Sequence, residues 1–364
     1  MTVPALPGTR NSGDATLLVP GWWSWLVVPA CTLVFAGTAA SASAQDKVVL
    51  RRGNLSGRVT LSGTIDDCTG SELKIRSGDG TVRTYPAADI ISIETPQTEA
   101  HDRGLKHLAD NEVEEALREF DVALRKESRT WVRREILALE VRCGLRRGDF
   151  PLAGSRFLAL LKSDPGTRHF GLIPLHWGAD PVPPAAALEA RIWLGTNSEP
   201  AQLMGASLLF DDPELDTTSR TTLKTLSSST DRRIQVLAQF QAWRKDVAAG
   251  AVNELQIVHW QNRVDELPSA LRAGPCYLLG RAYAGRRDYE LAAASFLWLP
   301  LVDDHDFRLS ARAIVEAGMA LGRIGQQSEA QVLFREATRR FATAPAADEA
   351  AALMEKASNS EPRD

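Results

Sequence analysis

The chain has 364 residues, 44% hydrophobic and 24% charged, a balance ordinary for globular protein that excludes disorder of the whole and provides for two or three folding units. Lys+Arg number 42 against Asp+Glu 46, a formal net charge of -4, so there is no global attraction to polyanions and no nucleic-acid partner is expected. No Gly-x-Ser-x-Gly, P-loop, His-Glu-x-x-His or dinucleotide fingerprint occurs, and accordingly no catalytic residue, cofactor or metal ligand is assigned.

Residues 1–44 read as an export signal. An apolar stretch from Leu17 to Gly37 leads to the small residues Ala42-Ser43-Ala44, and cleavage is predicted after Ala44, giving a periplasmic or secreted protein. The n-region is weak, with Arg10 its only cation, so the alternative is an uncleaved segment anchored in the inner membrane. Downstream, Cys68, Cys143 and Cys276 lie in separate segments without a CxxC pair, which argues for neither a disulfide framework nor a zinc knuckle.

Residues 45–96 alternate with period two and are rich in Val, Ile and Thr. Strands are predicted at Val48–Arg52, Gly57–Ile65, Glu72–Ser77, Val82–Tyr85 and Ile90–Glu94, with a hairpin turn at Ser77-Gly78-Asp79-Gly80. Five short strands in so few residues suggest a small closed barrel of Sm-like or Src-homology-like shape.

From Glu99 onward the period is helical and the pattern repeats. Gly104-x2-His107 precedes Ala116-x3-Phe120-x2-Ala123, and Gly144 precedes Ala153-x3-Phe157-x2-Leu160. Leu279-Gly280-x2-Tyr283 precedes Ala292-x3-Phe296-x2-Leu299, and Gly318-x2-Leu321 precedes Ala330-x3-Phe334-x2-Ala337. Gly280 to Gly318 and Ala292 to Ala330 are both 38 residues, and Ala116 to Ala153 is 37. Small residues at these places let paired helices approach closely while the Phe side chains fill the space between pairs. Over 99–165 and 270–357 this spacing resembles the tetratricopeptide family, in the loosely spaced form of exported bacterial proteins, although its usual repeat is about 34 residues. The resemblance implies a mainly α fold, an α-solenoid of helix pairs with a groove for a protein or peptide partner.

Residues 166–269 lack that spacing. Pro174, Pro181, Pro183 and Pro184 break any helix across His169–Pro184. Helices are then predicted at Ala185–Gly195, Pro200–Phe210, Ser219–Ser227, Asp231–Ala249 and Val252–Asp265, an irregular solenoid of HEAT-like or degenerate repeats. Residues 358–364 are expected to be a disordered tail.

Few side chains suggest chemistry. His169, His176 and Asp180 could in principle approach a metal, but loop packing explains them better. Asp211-Asp212 and Asp303-Asp304 suit helix capping. The one charge feature of interest is a cationic stripe of Arg133, Arg134, Arg142, Arg146, Arg147 and Arg156, in which Arg142 and Arg146 share a helix face and could dock an acidic peptide end or phosphate. The expectation is therefore an exported, non-catalytic interaction scaffold with Arg142 and Arg146 as partner-binding residues. Rival readings are a cell-wall or glycan-acting enzyme that uses the repeats for recruitment, and self-association through repeat faces.

Overall fold

The computed structural model describes residues 45–52, 57–178 and 180–360; the predicted signal segment and its cleavage site before Gln45 lie outside them. Five strands open the fold: β1 (Asp46–Arg52), β2 (Gly57–Cys68), β3 (Glu72–Arg76), β4 (Val82–Pro86) and β5 (Ile90–Glu94). They form one antiparallel sheet in the order β4-β3-β2-β1-β5. The predicted hairpin closes β3 onto β4, with the Gly80 amide donating to Ser77 O at 2.9 Å and Gly80 at φ 82°.

The expected closed barrel is not formed, for β4 and β5 stand at opposite edges of an open sheet. The physical reason lies in what covers the apolar face. Val48, Leu50, Ile65, Leu73 and Ile75 point to one side by the two-residue period and bury themselves against Ala100, Phe120, Trp131 and Ile136 of the following helices. A sheet whose inner face is covered by helices has no need to close on itself.

Those helices are α1 (Glu99–Ala109), α2 (Val113–Lys126), α3 (Thr130–Arg147) and α4 (Phe150–Ser163). Thr98 caps α1 through His101 N, Gly148 ends α3 in the left-handed conformation at φ 69°, and Asp149 caps α4 through Leu152 N. Sheet and helices are further tied by ion pairs and loops. Arg134 donates to Asp67 Oδ1 and Cys68 O, both at 2.9 Å, and the Gly70 amide donates to Asp164 Oδ2 at 2.8 Å.

The middle region holds α5 (Pro184–Leu194), α6 (Glu199–Leu208), α7 (Asp216–Leu226), α8 (Arg232–Ala248) and α9 (Glu254–Asp265). After it come α10 (Ala273–Gly285), α11 (Tyr289–Val302), α12 (Phe307–Arg323), α13 (Gln327–Arg340) and α14 (Pro345–Ser360). The last helix runs to Ser360, so 358–360 continue α14 where a disordered tail was expected. Among the described residues no helix is long and apolar enough to cross a membrane.

One packing device recurs in the helical hairpins. A Cβ at Gly104 would lie 2.6 Å from the Phe120 ring, one at Gly280 2.7 Å from Phe296, and one at Gly318 2.6 Å from Phe334. Each glycine sits sixteen residues before its phenylalanine. By that count the second hairpin's matching position is Val141, fully buried, three residues before the Gly144 that the sequence pattern suggested. Gly144 still marks a close approach, since a Cβ there would lie 2.9 Å from Ala153 N.

The first part of the proline-rich segment after α4 is buried, while Asp180, Pro181, Pro183 and Pro184 at its end are exposed. Phe170, Leu172, Ile173, Leu175 and Trp177 are all buried. Phe170 meets Phe157 edge-on at 5.7 Å, and the Trp177 ring lies over Gly274, where a Cβ would be 2.0 Å away. Its backbone finds partners on other elements: the His176 amide donates to Ser207 Oγ at 2.8 Å and Gln241 Nε2 donates to His176 O at 3.2 Å. Helices α4, α6, α8 and α10 thus enclose this strap and share one core with it.

The first and last helical blocks also meet. Arg146 lies over the Phe307 ring at 5.1 Å, Arg308 donates to Arg147 O at 3.2 Å, and Asn111 Nδ2 donates to Thr343 Oγ1 at 3.0 Å.

Candidate functional site

A cleft of about 330 Å³ opens where the exit of β5, helices α1 and α3, the start of the strap and the α11–α12 connection converge. Its floor is one face of α3. Trp131, Glu135, Ala138, Leu139 and Arg142 follow each other at helical spacing, so all five turn to the same side. His101 and Leu105, four residues apart on α1, form a second wall. Arg168, His169 and Leu172 come from the strap, and His305 from the connection that precedes α12. Three of the chain's six histidines therefore line one cleft.

Glu135 is the fixed centre of charge. Both its oxygens lie 3.0 Å from His169 Nε2, which donates to them, and Arg168 Nη2 stands at 2.8 Å. Burial alone would raise its carboxyl, yet the bond and charge of His169, with Arg168 beside it, bring the pKa down to about 2. Glu135 is thus an ionised anchor for Arg168 and His169, not a proton donor.

Arg142 has a different neighbour. Its Nη2 donates to His305 Nδ1, which puts that ring's proton on Nε2 and leaves the imidazole neutral. Burial and the Arg142 charge both lower the His305 pKa, in keeping with that neutral form. No carboxylate among the described residues is within ion-pair distance of Arg142.

Two polar atoms in the lining lack any hydrogen-bond partner among the described residues: Trp131 Nε1 and His101 Nδ1. Both side chains are nearly inaccessible, at 3% and 4% exposure. Desolvation lowers the His101 pKa, so it is held neutral with one ring nitrogen unsatisfied.

The two arginines singled out in the sequence part company. Arg142 lines the cleft, whereas Arg146 is spent inside the molecule, donating to Leu108 O at 2.7 Å and covering Phe307. The rest of the stripe is likewise engaged. Arg147 pairs with Glu114 at 3.0 Å, Arg156 with Asp121 at 3.2 Å and Glu140 at 2.9 Å, and Arg133 with backbone carbonyls near the end of α2. His169 and His176 do not converge, for His169 belongs to the Glu135 cluster while the His176 ring meets Phe150 edge-on at 6.3 Å. Among the described residues no group of His, Cys, Asp and Glu is placed to hold a metal ion. Asp306 and Asp231 cap α12 and α8, and Asp211 holds the buried Arg244 at 2.7 Å, so these acids serve structure.

The His101, Arg168 and His305 contributions were missed in the sequence because they are scattered over some two hundred positions; only the α3 face, Trp131 included, was there to be found. No family model, no curated protein and no solved structure matches the chain.

Proposed function

We propose that the chain is an exported, non-catalytic interaction scaffold of the tetratricopeptide kind, which docks a protein or peptide partner on its helical surface. The observation that carries this reading is the glycine-against-phenylalanine packing repeated at Gly104, Gly280 and Gly318, a device for stacking helical hairpins. Export rests on the composition of residues 1–44.

The strap fills the space between the helical blocks that a partner peptide would otherwise enter, so docking falls to outward faces. Leu188 and Ile192, one turn apart on α5, and Leu255 and Val258 on α9 present apolar side chains to solvent, with Leu188 66% and Leu255 83% exposed. Paired-carboxylate hydrolysis of a glycan finds less support. Glu135 is the one carboxylate lining the cleft among the described residues, and a general acid needs a raised pKa rather than one near 2.

The test is affinity capture of the chain after in vivo crosslinking, beside a Leu188→Asp/Ile192→Asp variant and a Leu255→Asp/Val258→Asp variant. A recurrent partner lost from at least one variant supports the scaffold; a set of captured proteins the same for all three chains, or none above background, refutes it.

A further inference from the structure

We propose that the cleft between α1, α3 and His305 binds a small, singly charged organic carboxylate, with Arg142 as its anion partner. The inference stands apart from the scaffold reading, since a chain without any protein partner could still hold such an acid.

Three features converge on it. The volume, about 330 Å³, lies at the small end of the range for small-molecule sites, too little for a folded surface to enter. Arg142 is a half-buried guanidinium bonded to the His305 ring, with Asp304 near but no carboxylate among the described residues within ion-pair distance, so an incoming anion can pair with it directly. Trp131 and His101 line the same cleft, and their Nε1 and Nδ1 atoms are buried without hydrogen-bond partners, polar groups that a small side-chain rotation would offer to a ligand.

The shape sets the ligand's class. Trp131 and Arg142 are eleven residues apart on one helix, which places them roughly 16 Å apart along its axis at about 1.5 Å per residue. Between them the same face carries Glu135, already held by Arg168 and His169, and then Ala138 and Leu139, faced by Leu105 and Leu172. A matching ligand carries a carboxylate at one end for Arg142, a short apolar body, and a hydrogen-bonding group at the other end for Trp131 or His101. A single charge fits better than a phosphate dianion. Glu135 already occupies Arg168 and His169, and the Asp304 carboxylate lies close enough to feel Arg142, so a second negative charge would find like charges and no free cation.

Titration calorimetry on the full chain tests this with 6-hydroxyhexanoate as probe, hexane-1,6-diol as its uncharged counterpart, and inorganic phosphate. Saturable 1:1 binding of the hydroxy acid is expected, at least about tenfold tighter than the diol or phosphate. Arg142→Ala should weaken it at least about tenfold while Arg147→Ala, outside the cleft, leaves it unchanged. Should Arg142→Ala fail to fold, Arg142→Lys should retain part of the affinity, and 6-hydroxyhexanoate should quench tryptophan fluorescence in proportion to binding. Absence of saturable binding, an affinity untouched in the Arg142 variants, or phosphate bound more tightly than the acid would each overturn the proposal.

Discussion

Asn111 donates its side-chain amide to the Thr343 hydroxyl at 3.0 Å, joining the turn after α1 to the turn before α14 across 232 positions of sequence. The bond is exposed and weak alone. Its significance lies in company, because Phe307 is clasped between Arg146 and Phe341 in the same seam. Phe307→Ala should cost about 3–5 kcal/mol as a buried aromatic truncation. Amide exchange should then quicken not only in α12 but also around Leu105–Glu112, far away in sequence; exchange confined to α12–α14 would show that the seam transmits nothing.

The hairpin packing makes a contrast of glycines. Gly104→Ala and Gly318→Ala each push a methyl to 2.6 Å from a buried Phe ring and should lose about 1–3 kcal/mol. Gly285→Ala, at the end of α10 with open space around it, should be neutral or gain about 0.5–1 kcal/mol from reduced chain freedom. Thermal melts of the three single variants check the order.

Glu140 gives the fold a pH dependence. Burial pushes its carboxyl up to about 7 from the ordinary 4.5, with Asp121 adding to the rise and Arg156 opposing it. Between those two values the folded chain keeps a proton that the unfolded chain has released. Stability from this group is therefore full below about 4.5, falls as pH rises toward 7, and levels off above it, a loss of up to about 3 kcal/mol at roughly 1.36 kcal/mol per unit. Guanidinium unfolding at pH 5 and pH 8 should show this slope in the native chain and a flatter one in Glu140→Gln.

Glu316 ties α10 to α12 through one carboxylate. Its Oε1 accepts from Tyr277 Oη at 2.8 Å, Arg312 Nε at 3.1 Å and Arg281 Nη1 at 3.3 Å, and Arg312 reaches on to Glu349 of α14. Glu316→Ala leaves the Tyr277 hydroxyl and the Arg281 guanidinium without their acceptor, and Arg312 with Glu349 alone, and should cost about 3–5 kcal/mol. Tyr277→Phe, which removes one donor and leaves the charges paired, should cost only about 1 kcal/mol. Equal losses in the two variants would mean that the charges are not coupled.

The strands and helices were legible because each carries its own period. Val48, Leu50, Ile65 and Ile75 alternate as a half-buried sheet must, and Gly104 with Phe120 fixes a helix crossing by local spacing alone. Barrel closure was misjudged since the partner of the apolar face, Phe120 and Trp131, comes from the next segment. The strap was read as an interruption because prolines dominate it, yet its burial had a signal: Phe170, Leu172, Ile173, Leu175 and Trp177 are too apolar for a surface loop. The cleft was hardest to find. Trp131, Glu135, Ala138, Leu139 and Arg142 share an α3 face, but His101, Arg168 and His305 reach it only through tertiary packing, which spacing does not encode.

Photo-crosslinking in the cell tests the division between a filled interior and an outward docking surface most directly. A photoreactive residue placed at Leu188, Ile192, Leu255 or Val258 should trap a partner at one of these faces, while the same group at Phe170 or Leu175 should crosslink only within the chain. A partner trapped at Phe170 or Leu175 would mean that the strap leaves its place and the partner enters between the helical blocks, which would contradict the arrangement described.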